Sequence, residues 1–569
     1  MRFVFAAFVL LTGYRAFAEP KTAENDRLLA TGKLWVTVKY FHPYLAYRDI
    51  DWDKALVDAL PKIRAATNSS SYAAAIQSML DALHDPGTYV AQGANEPQSG
   101  QAEPATSGQR TWVHDSYHSA FYTKAGAPEI ATIDMGGDVS ATIRLSEPTP
   151  PTSSGPAYPS PAPDKAYKET PYPSAEYRVL AAYKIWGVFH YFFAYRDLMD
   201  EDWDDLLPAF LPKFIAAKDA REYNLGIAEM ITHVADSQAG VQSEELSEYF
   251  GKAPVGLRLR LIEKKPVITE ILDEEASKAG VQVGDIVSKV DGEDIVERFN
   301  REAQYVAAST PQSHGCRIMQ RILNGPDGST AALTIGGQDG RTREVNLRRN
   351  LTYSAALRNQ RIGEVVKLLP GNIGYADLDR LTPEQVGAMF EKLRDTKAII
   401  FDMRGFPHET ASSIARRLTD QRDIAAAIFT GPLTVTPDIP HGETLTSTAS
   451  YFFVQRLPAG KNWKYKGKTV MLIDERTIGQ AEHTGLFFEA ANNTQFIGTP
   501  SAGADGDVTN FVVPGGIIIE FSGHDVRHAN GGKLQRLGLQ PALNVAPTID
   551  GIRHGRDEVL EKAIEYVSK

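Results

Sequence analysis

The sequence predicts a mixed α/β protein built from several domains. Its 569 residues exceed what one hydrophobic core usually serves, and the usual domain size suggests roughly three or four units. Two segments 151 positions apart repeat one helical pattern, and roughly the last 200 residues alternate strands with helices. A hydrophobic fraction of 43% and a charged fraction of 23% are those of an ordinary globular chain.

Charge and cysteine content exclude some classes of partner and site. A net charge of −11 and a pI near 5.7 leave no basic footprint, so we expect no nucleic-acid partner. The single cysteine, Cys316, excludes an intramolecular disulfide and argues against a cysteine-based metal site. His524 and His528 stand four apart, but glycine and asparagine break that stretch. We therefore predict no metal site and no cofactor.

The N-terminus has the pattern of a secretory signal peptide over residues 1–18. Met1-Arg2 begins positively charged, residues 3–11 are apolar, and Ala16-Phe17-Ala18 supplies small residues two apart. A buried N-terminal helix is the alternative interpretation. Because no later stretch reaches about 18 consecutive apolar residues, we expect an exported protein with no membrane span after cleavage.

Residues 19–90 and 176–250 are two copies of one helical unit. Their apolar residues recur at steps of three and four, and Asp51 and Asp202 precede a tryptophan as residues that start a helix do. One offset of 151 residues is far longer than a solenoid repeat, so this is a single duplication. The matched pairs include Trp35 with Trp186, Trp52 with Trp203, and Pro61 with Pro212.

Both copies end in a similar short element. The first copy reads His84-Asp85-Pro86-Gly87-Thr88 and the second reads Ala235-Asp236-Ser237-Gln238-Ala239. Asp85 and Asp236 keep the offset of 151, so Gly87 and Gln238 are equivalent positions.

Residues 91–175, between the copies, are rich in Pro, Ser, Gly and Ala. Such a composition is typical of an extended linker without a packed core. A strand-like patch within residues 109–145 interrupts it, and the sequence assigns no role to this patch.

Residues 251–350 form a domain of short strands that resembles a PDZ domain. The resemblance depends on Gly280–Val287 followed by Asp291-Gly292. It implies that one loop binds a peptide carboxylate through consecutive backbone N–H groups, while the peptide adds a strand to a sheet edge. A β domain that binds nothing is the alternative. The expected peptide-binding residues are Val255, Gly256, Leu257, Arg258 and Leu259.

Residues 351–569 are predicted to form an α/β core. Strands at 371–381, 397–405 and 468–475 alternate with helices that begin near Thr382 and Ala411. After the third strand comes Asp474–Gly485, a tight turn that leads into a helix. Hydrolases often display a nucleophile at such a turn, yet glycine and not serine or cysteine stands at its centre.

The order of these motifs resembles the tail-specific, or C-terminal-processing, serine peptidases, whose relatives include the tricorn protease core. The resemblance extends over nearly all of the chain after residue 18 and implies a crotonase-like α/β core. It further implies a serine at the turn, activated by a lysine in one branch or by a histidine in the tricorn-like branch. Backbone amides would stabilise the oxyanion.

Carried over position by position, the resemblance finds the catalytic side chains missing. The nucleophile position is Gly479, the lysine position after Gly498–Gly503 is Ala504, and the histidine position is Gln238. Glycine has no side-chain oxygen, and the glutamine amide is not basic. The oxyanion amides, at Gly405 and around Gln480, are expected to be retained.

Other hydroxyl groups could substitute for the missing serine. Thr477 is three residues before Gln480, which is a capping-box pattern, so we expect its hydroxyl to cap the helix. Ser501 in the neighbouring loop and His483 one helical turn after Gly479 remain an alternative nucleophile and base.

Two functions are therefore open. The resemblance implies an exported serine peptidase, periplasmic by analogy, that acts on polypeptide C-terminal tails. The residues favour a pseudopeptidase that binds such tails through its PDZ domain and vacant cleft without cutting them. The sequence does not indicate an oligomeric state.

Overall fold

The computed structural model describes residues 23–93, 108–124, 129–148, 158–357, 361–438, 448–460 and 463–569. The predicted signal peptide at residues 1–18 lies outside these ranges. Among the residues described, no helix is long and apolar enough to cross a membrane.

The first copy, called copy one, packs three helices around a pair of tryptophans. Trp35 Nε1 donates to the Trp52 carbonyl at 3.2 Å, and Trp52 Nε1 donates to the Trp35 carbonyl at 3.1 Å. Asp51 caps the second helix, because its carboxylate accepts the Lys54 N–H at 3.1 Å. The elements are α1 (Ala23–Phe41), α2 (Trp52–Ala65), α3 (Ser69–Leu80) and β1 (Tyr89–Gln92).

The stretch predicted to be a linker contains packed strands. Trp112, Ile133 and Ile143 are buried in the same core as the helices of copy one. The strand-like patch predicted within residues 109–145 is thus a set of strands, whose apolar residues alternate as half-buried strands require. The expectation of an extended linker without a packed core is wrong for these residues. The strands are β2 (Gln109–His114), β3 (Ala120–Lys124), β4 (Ile130–Gly136), β5 (Val139–Arg144) and β6 (Ser146–Pro148).

The proline-rich segment that follows β6 is also anchored. Asp164 lies 2.9 Å from Lys39 Nζ and 3.1 Å from Lys184 Nζ, so it ties this segment to a helix of each copy. Although burial favours the neutral acid, the two lysines hold the pKa of Asp164 well below its usual range.

The second copy, called copy two, repeats the tryptophan contact. Trp203 Nε1 donates to the Trp186 carbonyl at 2.9 Å. Copy two comprises α4 (Ala175–Phe192), α5 (Leu206–Ala216), α6 (Ala220–Thr232), β7 (Gly240–Gln242) and α7 (Glu244–Phe250).

The β domain, residues 251–350, is an antiparallel sheet with three helices against it. Its strands run in the order β13-β12-β10-β9-β8, so β8 is an edge strand. The elements are β8 (Leu257–Ile262), β9 (Lys265–Ile271), α8 (Glu274–Lys278), β10 (Ile286–Val290), β11 (Glu293–Asp294), α9 (Ile295–Ala303), α10 (Pro311–Met319), β12 (Thr330–Gly336) and β13 (Thr342–Arg348).

The core is a largely parallel sheet between two helical layers. On strand 398–402, Ile399 and Phe401 face one hydrophobic cluster while Ile400 faces the other. The elements are α11 (Thr352–Ala356), β14 (Val366–Leu369), β15 (Ile373–Asp377), α12 (Gln385–Leu393), β16 (Ala398–Asp402), α13 (Ala411–Ala415), β17 (Ala425–Thr434), β18 (Thr448–Arg456), β19 (Lys468–Ile473), α14 (Gln480–Asn492), β20 (Gln495–Gly498), β21 (Val508–Val513), β22 (Ile517–Ser522), β23 (Asp525–His528), β24 (Leu543–Asn544), α15 (Ile549–Arg553) and α16 (Glu558–Ser568).

The core sheet has the order β14-β15-β16-β19-β20-β24 and is parallel from β15 onward. The carboxyl ends of β16 and β19 therefore open at one edge, where α/β folds place their functional loops.

The duplication includes a small sheet as well as helices. In copy one, β1 pairs with β5 and β5 with β4; in copy two, β7 pairs with β22 and β22 with β21. Tyr89 opposes Thr142 as Gly240 opposes Glu520, so the registers match. Copy two borrows its hairpin from the core, and this brings Gln238 to the carboxyl edge of the core sheet.

Candidate active site

Gly479 stands at the turn between β19 and α14. It is the N-cap residue of α14 and has φ 54° and ψ −120°, a conformation that disfavours residues with a side chain. The Gly479 carbonyl accepts the His483 N–H at 2.9 Å, which begins the helix. The turn is thus a sharp strand-to-helix elbow with glycine at its apex.

The Gln238 side chain faces the place where a side chain of residue 479 would begin. A Cβ built on Gly479 would lie 3.0 Å from Gln238 Nε2. Gln238 Nε2 donates to the Gly506 carbonyl at 3.3 Å, and its Oε1 accepts the Ser522 hydroxyl at 2.5 Å. The amide therefore lies between residue 479 and Ser522.

The Asp236 carboxylate holds the backbone of Gln238 and Ser522 in place. One carboxylate oxygen accepts the Ser522 N–H at 2.8 Å and the other accepts the Gln238 N–H at 3.0 Å. Gln535 Nε2 also lies 3.3 Å from Asp236. The sequence analysis did not single out Ser522 and Gln535, because they are distant along the chain.

Ala504, at the lysine position, is beside the elbow. Its carbonyl accepts the Gly479 N–H at 2.9 Å. The structure thus brings Gly479, Gln238 and Ala504 together around one point.

Glu482 holds the elbow and the Ala504 loop in place. Its carboxylate accepts the Ala504 N–H at 3.0 Å, the Gly503 N–H at 2.8 Å, the Ser501 hydroxyl at 2.5 Å and the Gly479 N–H at 3.3 Å. Burial raises the pKa of Glu482 to about 8, against the opposing effect of these donors.

The predicted cap of α14 is wrong. The N-cap residue is Gly479, and the Thr477 hydroxyl instead donates to the Met403 carbonyl at 3.0 Å while it accepts the Asp474 N–H at 3.2 Å. The capping-box spacing is present, but helix α14 begins two residues later than that spacing predicts. The Thr477 hydroxyl therefore points toward the end of β16.

The alternative hydroxyl nucleophiles do not meet His483. The Ser501 hydroxyl is fully buried and contacts Glu482 and the Leu539 N–H, the latter at 2.6 Å. His483 bonds Asp505 at 3.0 Å through Nδ1 and Gln455 at 2.5 Å through Nε2. Neither geometry forms a hydroxyl–imidazole dyad.

The two predicted oxyanion amides differ in their hydrogen bonding. As the first residue of α14, Gln480 has an N–H without an intrahelical partner. The Gly405 N–H donates to the Met403 carbonyl at 2.7 Å and is therefore engaged within its own loop. Their oxyanion role stays a prediction.

Buried ion pairs support the Gly405 loop. Arg404 contacts Asp402 and Asp557, each at 2.7 Å, and Tyr375 donates to Asp402 at 2.9 Å. Burial opposes ionisation, but Arg404 and Arg361 hold the pKa of Asp402 well below its usual range.

One wall of the cleft consists of histidines and aromatic rings that the sequence analysis did not bring together. His524 Nε2 lies 2.7 Å from the Tyr451 hydroxyl, and its Nδ1 lies 3.2 Å from Asp507. Phe429 stacks on Phe453 at 4.7 Å. No group of three or more His, Cys, Asp or Glu side chains able to hold a metal occurs in the described part of the chain.

In copy one the equivalent place is filled. Arg144 corresponds to Ser522 by register, and its guanidinium occupies the space beside Gly87. Arg144 Nε contacts Asp85 at 2.9 Å. Copy one therefore has no open counterpart of the cleft.

The β domain has a groove between the edge strand β8 and helix α10, with a volume of about 210 Å³. Of the predicted peptide-binding residues, Arg258 and Leu259 line it. Val255, Gly256 and Leu257 lie just before it, where the Leu257 N–H donates to the Val255 carbonyl at 2.8 Å. The other side of the groove consists of residues on α10 and at its C-cap that no sequence motif indicated: Gln312, Cys316, Met319 and Gln320.

This groove ends against the elbow. Glu475 and Arg476 close one end of it, three to four residues before Gly479. Arg260 on β8 contacts Glu475 at 2.7 Å and Asp474 at 3.0 Å.

The start of α10 is joined to both loops of the cleft. Thr310 donates to the Ala502 carbonyl at 2.8 Å, and Gln312 donates to the Ser501 carbonyl at 2.9 Å. Ser309 and Ser237 exchange two hydrogen bonds of 2.8 Å. The β domain and the cleft therefore share one framework.

The site combines an α/β core, a strand–turn–helix elbow and the Gln238 loop of copy two beside its apex. Many hydrolases display a nucleophile at an elbow of this kind. Residues 372–545 match the model of peptidase family S41. The match lies within the α/β core, so this core is similar to the peptidases of that family.

Two solved structures, both of mature CPAF, support the fold. The chain resembles mature CPAF in complex with lactacystin, with 14% identity and a TM-score of 0.52, over 69% of this chain and 98% of that one. It resembles mature CPAF alone with 13% identity and a TM-score of 0.52, over 69% and 97% of the two chains. The photosystem II D1 C-terminal processing protease matches with 16% identity and a TM-score of 0.39, over 67% and 98%. A search among curated protein sequences finds no significant match.

Proposed function

We propose that this chain is a peptide-binding pseudopeptidase of family S41, which holds polypeptide C-terminal tails without cutting them. The observation that carries the proposal is the contact at the elbow. Where a nucleophile and its base would meet, a glycine with no side chain faces the amide nitrogen of Gln238.

None of the three positions supplies the missing chemistry. Peptide cleavage by this route needs an activated hydroxyl and a group that takes up its proton. Gly479 has no hydroxyl, Ala504 has no amine, and the Gln238 amide does not accept a proton near neutral pH. Ser501 and Thr477 are held in other hydrogen bonds, so neither replaces the serine.

A tail would bind along the edge of β8. An edge strand presents unpaired backbone groups to an extended peptide, and α10 closes the other side of the groove. This is the manner of binding that the resemblance to PDZ domains implies. Since the groove ends at Glu475 and Arg476, the rest of the bound chain would pass over the vacant elbow.

We further propose that the protein is exported and acts in an extracytoplasmic compartment such as the periplasm. Support comes from the signal-peptide pattern at residues 1–18. Polypeptide tails are the expected partners there.

An active serine peptidase is the second candidate, and the match to the model of family S41 favours it. Incubation of the protein without its first 18 residues with denatured casein and with a fluorophosphonate probe separates the two. We expect intact casein and no label. Cleaved casein or a labelled protein would support the active enzyme instead.

A double substitution tests whether the cleft itself is intact. In Gly479→Ser plus Gln238→His, the new imidazole has Ser522 on one side and the new hydroxyl on the other, so we expect fluorophosphonate labelling to appear. The matched control is Gly479→Ala plus Gln238→His, which lacks the hydroxyl. Equal labelling of both variants, or none in the first, would show that the positions were assigned wrongly.

Cys316 reports on the groove, because it is the only cysteine in the chain and lines the groove. Burial and the nearby carboxylates raise the pKa of its thiol to about 12, so a methanethiosulfonate reagent should react slowly and measurably. A peptide with a free carboxylate should slow the reaction further, and its C-terminal amide should not. Equal protection by both peptides would remove carboxylate recognition from the proposal.

A further inference from the structure

A second cavity lies behind α10, on the side away from the β8 groove. It has a volume of about 560 Å³ and is bounded by α6, β7 and α7 of copy two and by residues 305–321 of the β domain. We call it the α7–α10 cavity. The elbow and the β8 strand do not contribute to its lining.

Two arginines four residues apart, Arg317 and Arg321, line this cavity. Burial lowers the pKa of both Arg317 and Arg321, yet a guanidinium stays charged in a protein. Arg321 Nη2 is buried and has no hydrogen-bond partner among the described residues. The Arg321 Nε lies 3.3 Å from Glu302, so this nitrogen of the guanidinium is paired while Nη2 is not.

Arg317 has donors left as well. It donates to the Ser237 carbonyl and, at 3.1 Å, to the Ala239 carbonyl. Each of these terminal nitrogens has a second N–H. Glu520 is the acidic residue of the lining, and it accepts the Gln242 side chain at 2.6 Å.

The opposite part of the lining is aromatic and apolar. The Arg321 guanidinium lies 3.8 Å from the centre of the Phe250 ring, and the Phe250 and Tyr305 rings are 6.2 Å apart. Leu246 and Ile231 continue this surface. A ligand that fits must combine an anionic head with a flat apolar body.

We infer that the α7–α10 cavity binds an organic carboxylate with an aromatic body, its carboxylate on Arg321 and Arg317. An unpaired guanidinium donor matches a carboxylate, which accepts such a fork in two places. An inorganic phosphate would leave the Phe250 and Tyr305 surface uncovered. Because Arg317 bonds the carbonyls on both sides of Gln238, the ligand would contact a residue that holds the loop of the vacant cleft.

The test is calorimetric titration of the full chain with phenylacetate, its neutral isostere phenylacetamide, and inorganic phosphate. We expect phenylacetate to bind and the other two to bind at least tenfold more weakly, since a charge-assisted hydrogen bond is worth roughly this factor or more. Equal binding of phenylacetamide or of phosphate, or no binding of phenylacetate, would overturn the inference.

Two substitutions locate the site. Arg321→Gln should weaken phenylacetate binding roughly ten- to hundredfold. Arg298→Gln, the control, removes another partner of Glu302 without touching the cavity and should leave binding unchanged. If Arg321→Gln does not fold, Glu520→Gln decides: removal of this carboxylate should tighten binding several-fold, and unchanged or weaker binding would contradict the inference.

A last comparison separates this site from the groove and identifies the source of the carboxylate. Phenylacetate should bind equally after Cys316 is blocked, whereas loss of binding would place it in the β8 groove and overturn the inference. N-acetylphenylalanine and a hexapeptide that ends in phenylalanine then distinguish the two sources of the carboxylate. Tighter binding of N-acetylphenylalanine would indicate a small acid, and tighter binding of the hexapeptide would indicate a chain terminus.

Discussion

Gly479 occupies a left-handed backbone conformation at the apex of the elbow, where the chain leaves β19 and enters α14. A residue with a side chain is strained in this conformation and lowers the free energy of unfolding, whereas glycine adopts it without strain. The elbow therefore has the backbone of a site that displays a side chain, although no side chain is present. At the scale of this residue, the turn keeps the backbone geometry of an elbow while glycine supplies no side chain.

The first prediction concerns the strain at this residue. Gly479→Ala should lower the free energy of unfolding of the core by about 1–3 kcal/mol, because φ is positive there. Gly387→Ala is the control, since this glycine lies in helix α12 with no heavy atom within 4 Å of the added Cβ. It should stabilise by about 0.5–1 kcal/mol. Equal urea midpoints for the two variants would contradict the strain argument.

The second prediction concerns Glu482 and pH. The pKa of this carboxyl is about 8 in the folded protein and 4.5 as its ordinary value, so the folded state binds more protons between these two pH values. Stability attributable to this group should therefore be fully present below pH 4.5 and fall as the pH rises toward 8.

Unfolding measured from pH 5 to 8 tests this slope. Glu482→Gln does not titrate and should flatten the slope, whereas Glu391→Gln, an exposed change on α12, should keep it. A wild-type stability that rises over this range would show that the four donors outweigh the burial.

At the scale of elements, Arg260 joins the β domain to the elbow. It is largely buried, and its contacts with Glu475 and Asp474 cross from β8 to the turn that follows β19. Because α10 also bonds the Ser501 and Ala502 carbonyls, the groove and the cleft are fixed relative to each other by two separate elements.

The third prediction tests this junction. Arg260→Gln should destabilise it by about 1.5–3 kcal/mol, the usual worth of hydrogen bonds to charged groups. We expect faster hydrogen exchange in residues 474–480 with little change in β12. Arg258→Gln, whose partner Glu270 lies within the β domain, should leave exchange at the elbow unaltered. Identical exchange in both variants would show that Arg260 does not hold the elbow.

The element scale also shows how far the sequence could lead. The core strands, the duplicated helices and the elbow were predictable, because each depends on a local pattern of apolar residues and turn residues. The strand-like patch at 109–145 was visible in the sequence, but its packing against the helices of copy one was not, because no local pattern records which elements meet. Contacts such as Gln238 with Ser522, 284 residues apart, depend on tertiary packing that no local pattern records.

In the candidate site, too, residues within local motifs were predictable and tertiary contacts were not. Positions that lie within short motifs, such as Gly479 and Ala504, could be named from the sequence. The Tyr451–His524 wall and the Gln535 contact could not, because their residues come from separate strands and loops. The cap of α14 was misassigned because a spacing of three does not determine where a helix begins.

At the scale of the whole molecule, the two copies are built from the same plan but are completed differently. Copy one supplies all three strands of its small sheet from residues 89–144, whereas copy two takes two of its three strands from the core. Only the second arrangement brings a repeat into contact with the elbow. Copy one is therefore free of the constraint that shapes Gln238 and its neighbours.

This difference determines the order in which the chain can become structured during synthesis. The strands of copy one meet across 53 residues, from Tyr89 to Thr142, but those of copy two meet across 280, from Gly240 to Glu520. A ribosome must release nearly the whole chain before copy two can close, and longer closures are slower. Pulse-labelled hydrogen exchange during refolding should protect residues 139–144 before residues 517–522, and simultaneous protection would contradict this order. The cleft can thus form only after residue 522 has been made, and a nascent chain lacks it for most of the synthesis that precedes this residue.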